Sequence, residues 1–254
     1  QLIFKWYGLW YRKFLHRFTH IFVQNSSSVD LLAGLGVHEV SLAGDTRFER
    51  VAKIASEAVP RQNLLSFSKI KPVIIAGSTW EKDEELLYGI YQKFSGRCKW
   101  IIAPHEPVEK NLNRLAGLFK NSVLFSQILD GEEIRGDVIL VDTIGHLSSL
   151  YQYGNMAYIG GGFGKGIHNI LEAAAFGNPI FFGPNYHNFQ EAIDLISARS
   201  AYVIKHIQEG YSQMDRLVNN ENQQKVIAEI AENYIIKQVG ATDKIVDFVF
   251  IKVA

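Results

Sequence analysis

Apolar residues along this chain gather in short continuous runs separated by stretches of helical spacing. Val73-Ile74-Ile75-Ala76, Trp100-Ile101-Ile102-Ala103, Val138-Ile139-Leu140-Val141, Ala157-Tyr158-Ile159 and Pro179-Ile180-Phe181-Phe182 read as buried strands. Shorter strands are expected at 122–125 and 202–204. Between them the spacing predicts helices over 81–94, 108–119, 147–153, 167–176 and 189–197, and the tail from Tyr211 is helical and polar on one side. Strands alternating with helices predict a Rossmann-like, doubly wound parallel α/β sheet covered on both faces.

The first part of the chain is organised differently. Phe4 to Phe14 is an aromatic and basic helix candidate, His20 to Gln24 reads as a strand, and Ser26 to Ser28 are expected to cap a helix that Gly34 or Gly36 ends. Val40-Ser41-Leu42-Ala43 is a further strand, closed by Gly44-Asp45-Thr46-Arg47. A polar stretch from Val59 to Lys71 reads as a boundary, giving an expected division into 1–58 and 59–254. The chain begins with Gln1 rather than Met, so a fragment or a processed chain is expected.

Composition narrows the function classes. With 47% hydrophobic residues among 254, the chain can bury a sizeable core. Lys and Arg number 26, as do Asp and Glu, so there is no electrostatic footprint for nucleic acid, and none is expected as a partner. Cys98 stands alone, which leaves no disulfide framework or cysteine metal cluster. No run of about 18 apolar residues suggests a membrane span. The mixture of aromatics with Lys5, Arg12, Lys13, His16 and Arg17 fits either an anionic membrane surface or an amphipathic helix packed on its own domain.

In a doubly wound sheet, ligands bind at the carboxyl ends of the strands, beside the point where strand order reverses. The segments after the predicted strands are Gly77-Ser78-Thr79, Pro104-His105-Glu106-Pro107, Asp142-Thr143-Ile144-Gly145-His146, Gly160-Gly161-Gly162 and Gly183-Pro184-Asn185. The richest is the glycine loop running through Gly164, Lys165 and Gly166 to Ile167-His168-Asn169-Ile170-Leu171-Glu172. Glycines let a backbone approach a ligand closely, and the helix start that follows offers N–H groups to a phosphate. The loop is not a Walker A motif, because Ile159 and Gly166 stand where Gly and Ser/Thr are required. It is not a dinucleotide fingerprint either, since Lys165 or Ile167 falls on the last glycine position. Glu172, three residues after Asn169, can accept hydrogen bonds from a ribose diol. Equally, the glycines can form a tight turn and Glu172 complement a helix N-terminus. Histidines 105, 146, 168 and 187 invite a metal reading, and His168 and Glu172 are four apart, but a third ligand at defined spacing is lacking. No metal and no cofactor are expected.

Taken together these motifs resemble the Kdo (3-deoxy-D-manno-octulosonic acid) transferases of lipopolysaccharide synthesis. The resemblance rests on Gly160 to Gly162, His168-Asn169-Ile170-Leu171-Glu172 with Ala173 to Ala175, Gly177 and Pro179, Gly44-Asp45-Thr46-Arg47-Phe48-Glu49-Arg50-Val51, Gly77-Ser78-Thr79 with the acidic 81–85 stretch, Asp142-Thr143-Ile144-Gly145, and Gly183-Pro184 through Asn188-Phe189. It covers roughly residues 20 to 190. It implies a GT-B glycosyltransferase, with residues 1–58 as the last part of an acceptor-side domain and 59–254 as the CMP-sugar-binding domain. CMP contacts would fall on Pro104, His105, Ile144, Gly145, His146, Asn169, Ile170, Leu171 and Glu172. The phosphate loop would be Gly161, Gly162, Gly166 and His168, with donor-sugar contacts at Ser78 and Thr79. Partners implied are CMP-Kdo, a lipid A precursor and an anionic membrane surface, at the cytoplasmic face of the bacterial inner membrane. The general base is expected in the N-terminal domain, most of which this chain lacks, so the chain alone is expected to be inactive. One departure stands out: many members read Pro-Arg-His-Pro where this chain has Pro104-His105-Glu106-Pro107. A histidine there offers less than a bidentate arginine. The alternatives are a nucleotide-binding module without activity, or another GT-B enzyme that uses a UDP-sugar.

Overall fold

The structure, a computed structural model, describes residues 9–253. Residues Phe4 to Gly8 of the aromatic-basic stretch lie outside these. The described chain forms two compact units, residues 1–52 with 236–254 and residues 53–235. The expected division was 1–58 and 59–254, so the observed units separate earlier and group the last helix with the first unit. Within that unit the reason is local. Glu49 accepts the N–H groups of Gly240 and Thr242 at 2.8 and 3.1 Å, and the rings of His20 and Phe22 pack on Phe248.

The first unit begins with α1 (Leu9–Leu15), β1 (Ile21–Val23), α2 (Ser26–Ala33) and β2 (Val40–Leu42), the two strands pairing in parallel. The N-cap of α2 is Asn25, whose side chain accepts from Ser28 N–H, rather than one of the three serines. Then α3 (Arg47–Glu57) follows where a closing turn alone was expected. Its Phe48 and Val51 are buried, and Asp45 accepts from the Arg47 N–H at its start.

In the second unit, α4 (Gln62–Ser68) occupies the polar stretch. Such a short helix is marginal alone, and burial of Leu64 and Phe67 holds it, with the Lys99 ammonium over the Phe67 ring. The sheet follows: β3 (Val73–Thr79), α5 (Glu81–Phe94), β4 (Lys99–Pro104), α6 (Glu109–Leu118), β5 (Val123–Leu124), α7 (Phe125–Leu129) and β6 (Val138–Leu140). It continues through α8 (Leu147–Leu150), a 3-10 turn at Tyr151–Tyr153, β7 (Met156–Ile159), α9 (Leu171–Ala175), β8 (Ile180–Phe182), α10 (Gln190–Ser197) and β9 (Ala201–Val203). Two helices, α11 (Ile207–Val218) and α12 (Glu221–Gln238), run on from it, and α13 (Ala241–Val253) closes the chain in the first unit. All seven strands are parallel, in the order β5-β6-β4-β3-β7-β8-β9. The central four strands are buried along their length except at Ser78 of β3, as a sheet covered on both faces requires. Trp100, Tyr158, Phe94 and Phe181 are among its fully buried side chains.

The order reverses between β3 and β7, and the chain is tied there by a buried carboxylate. Asp83, in the first turn of α5, accepts the Trp80 N–H at 3.0 Å, the Gly161 N–H at 2.9 Å and the Tyr158 hydroxyl at 2.7 Å. Beside it Glu84 accepts from the Thr79 hydroxyl and from Arg114. These acidic residues also suit the positive end of α5.

Two outcomes follow. Replacing Asp83 by Ala strands a buried hydroxyl and a buried N–H, and urea unfolding should show a loss of about 3 kcal/mol or more. In a Tyr158→Phe background one of those donors is gone, and the same replacement should cost measurably less. Burial pushes the Cys98 thiol up to about 12, so it stays protonated below that value. A thiol reagent at pH 8 should leave the native chain unlabelled and label it once in urea; rapid native labelling would contradict the buried placement.

Candidate functional site

Because every strand of the large sheet runs the same way, the five segments singled out in the sequence all leave its carboxyl edge. Pairing of β3 with β4 slips between Gly77 and Thr79, so Ser78 bulges out of the ladder with φ of 53°. A bulge of this kind re-aims one side chain at a sheet's rim, and here it puts Ser78 at the reversal of strand order. Thr79 points the other way: it is buried, and its hydroxyl is spent on Glu84.

The loop after β7 crosses this bulge at backbone contact. A Cβ on Gly160 would lie 2.2 Å from the Ser78 carbonyl oxygen, so only glycine fits. Gly161 has φ of +92°, which turns the chain away from the strand axis and presents its N–H to Asp83. The loop then folds on itself, with Gly164 and Gly166 both donating to the Gly161 carbonyl and His168 N–H donating to Gly160. Of the four residues expected to bind phosphate, Gly161, Gly166 and His168 therefore use their backbone N–H groups inside the protein. The backbone N–H of Gly162 has no such acceptor among the described residues, nor do those of Phe163, Lys165, Asn169 and Ile170.

The helix expected over 167–176 starts only at Leu171 and is five residues long. Asn169 explains the delay. Its Oδ1 accepts the Leu171 N–H at 3.1 Å while its Nδ2 donates to Glu172 at 3.2 Å, an arrangement that competes with helix before residue 171. Glu172 thus lies in the first turn, and the five-residue helix gives this loop no long helix's dipole. Ile170 and Leu171 are fully buried, backbone included, so neither presents a group at the surface.

His105, exposed at the end of β4, donates its N–H to the Thr79 carbonyl and stacks on the His168 ring at 4.2 Å. Pro104 before it is buried in the strand. Trp80 joins them, stacking on His105 at 4.6 Å and donating its indole N–H to His168 Nε2 at 2.9 Å. Burial first, then the neighbouring His105, hold the His168 imidazole below histidine's ordinary range, with Asp83 opposing. A cleft of about 550 Å³ opens beside this group, lined by Trp80, Lys82, Gly161, Phe163, Lys165 and His168. Residues 144–146 stand apart from it. Ile144 is 87% exposed, Gly145 is exposed with φ of +90°, and His146 packs on Phe125 beside a separate recess. Asp142 in the same segment accepts from Ser126 and so fixes the start of α7. Among the described residues no group of three or more His, Cys, Asp or Glu is arranged to hold a metal ion. Another recess, about 480 Å³, opens at the amino edge near Lys71, Pro72, Asn155 and Pro179. Sheets of this kind bind ligands at the carboxyl edge, which favours the cleft at Trp80.

Sequence reasoning passed over Trp80 and Asp83. The signal was present: Trp80 is the first residue beyond β3, and Asp83 sits three residues on, where a side chain reaches back to the helix start.

No protein-family model matches the chain. The 3-deoxy-D-manno-octulosonic acid transferase of Rickettsia bellii is 28% identical over 241 residues, 91% of this chain and 56% of that protein. The enzyme of the same name from Aquifex aeolicus is 34% identical over 159 residues, 60% of this chain and 44% of that protein. The chain thus spans about half the length of the curated relatives it matches. Among solved structures, the C-terminal CMP-Kdo binding domain of WaaA from Acinetobacter baumannii superposes with a TM-score of 0.58, covering 74% of this chain and 97% of that one. At 18% identity this likeness is one of fold, that of a GT-B C-terminal domain. With the strand order, the glycine loop and these sequence relatives in place, the chain resembles the 3-deoxy-D-manno-octulosonic acid transferases over about half their length and has the fold of a GT-B C-terminal domain.

Proposed function

We propose that this chain is the donor-binding part of an enzyme that transfers Kdo from CMP-Kdo to a lipid A precursor. The observation that carries the reading is the loop after β7. It brings the N–H groups of Gly162 and exposed Asn169, which have no backbone acceptor, and the carboxylate of Glu172 to the point where the strand order reverses. In the reading, those N–H groups hold the donor's phosphate, Glu172 takes the ribose diol, and Ser78, aimed outward by its bulge, reaches the sugar. Thr79 acts through Glu84 rather than by contact. The backbone around Gly145, with Ile144 and His146, takes the cytosine, and Pro104 and His105 border the phosphate. The relatives' names and the CMP-Kdo binding of the superposed domain support the choice of donor.

Sugar transfer with inversion requires a base for the acceptor hydroxyl, and we assign that role to no residue of this chain. Residues 1–52 we read as part of the acceptor side. No helix among the described residues is long and apolar enough to cross a membrane, and we place the reaction at the cytoplasmic face of the bacterial inner membrane through contact with its anionic surface. The chain by itself should bind donor and transfer nothing.

Calorimetry tests the reading. CMP should bind, UMP should bind at least about tenfold more weakly, a difference of about 1.4 kcal/mol, and a metal chelator should change neither. Glu172→Ala should weaken CMP by roughly tenfold or more, as loss of hydrogen bonds to a charged group implies, while leaving dideoxy-CMP, which lacks the ribose diol, nearly unaffected. Absence of CMP binding at millimolar concentration, or preference for UMP, would overturn the donor assignment.

A further inference from the structure

Trp80 and His168 line the cleft, and with His105 stacked on them they form a defined electrical arrangement. Trp80 and His168 lie side by side, within 20° of coplanar and 6.3 Å between centroids, joined by the indole N–H donating to Nε2. His105 lies flat across both, 4.6 Å from one and 4.2 Å from the other. An indole N–H only donates, so His168 Nε2 must be a lone pair and the ring's single proton sits on Nδ1. His168 is thereby held neutral. A second proton on it would break the bond to Trp80 and place two positive rings in contact. His105 is under neither constraint: it is exposed, and a positive charge on it would lie over the electron-rich face of the indole.

The charged groups around the rings are mixed. Glu81, Lys82 and Asp83 come from α5, Lys165 from the loop after β7, and Glu106 stands beside His105 in sequence. Asp83 is already engaged by three donors, and the two lysines oppose a further positive charge, so an incoming anion would be the new partner for a cation at this point.

Resting on the nucleotide reading above, we propose that His105 takes up a proton from solvent when the nucleotide's phosphate binds. The site thus makes its cation on demand, with Trp80 as the positioning residue that presents the aromatic face and keeps His168 neutral. Binding should then weaken as pH rises, because above the neutral range each ligand must bring a proton with it.

The experiment is calorimetry of the whole chain with CMP at pH 7.5 in buffers of differing ionisation enthalpy. The phosphate of CMP, with its second ionisation near pH 6 by analogy with phosphoserine, is then almost wholly dianionic. Wild type should take up a sizeable fraction of a proton per CMP, and its affinity should fall several-fold between pH 6.5 and 8.5. His105→Arg, whose charge is fixed, should show no uptake and a flat pH profile. Cytidine, lacking the phosphate, should bind without proton uptake. Equal uptake in wild type and His105→Arg, or none in wild type that binds CMP, would overturn the proposal. If neither wild type nor His105→Arg binds CMP, the nucleotide reading itself fails.

Discussion

A single buried carboxylate holds together the place where this fold can bind anything. Asp83 takes hydrogen bonds from the start of α5, from the core of β7 and from the second glycine after β7. Without it, the two halves of the sheet would still pair, but the turn at Gly161 and the start of α5 would lose their shared hydrogen-bond acceptor. Burying such a charge is expensive unless it is fully hydrogen-bonded, and three donors at 2.7 to 3.0 Å meet that requirement. The bulge at Ser78, the close approach at Gly160 and the turn at Gly161 are all consequences of bringing these segments to one point.

The large sheet was legible because its strands are continuous apolar runs, which only a sheet covered on both faces accommodates. Each of the seven expected strands is present. What the sequence hid were elements made by tertiary burial: α3, α4 and α7, each with only two buried residues three apart, such as Phe48 and Val51, or Phe125 and Ile128. The start of α9 was hidden for a different reason. Helical spacing runs back to Ile167, but Asn169 bonds to its neighbours and offers the backbone an alternative to helix there.

The candidate site was legible as a set of segments and not as a set of roles. Which N–H groups remain open depends on how the loop folds on itself: Gly161 and Gly166 look equivalent to Gly162 in sequence, and only Gly162 is left unbonded. Likewise Thr79 and Ser78 are adjacent hydroxyls, and a one-residue slip in pairing sends one inward and the other to the rim. The ring group at Trp80, His105 and His168 draws on three separate segments, so no local pattern could announce it.

That ring group also provides the most direct test of the central claim, that the carboxyl-edge cleft receives a cytidine nucleotide. The chain has four tryptophans, hence four indole N–H signals in a nitrogen–proton correlation spectrum. On titration with CMP the Trp80 signal and the backbone signals of Gly162 and Asn169 should shift together and saturate, while the indole of fully buried Trp100 stays in place. If Trp80 is unmoved at saturation, or the shifts gather at the amino edge around Lys71 and Asn155, the nucleotide binds elsewhere and the account is wrong.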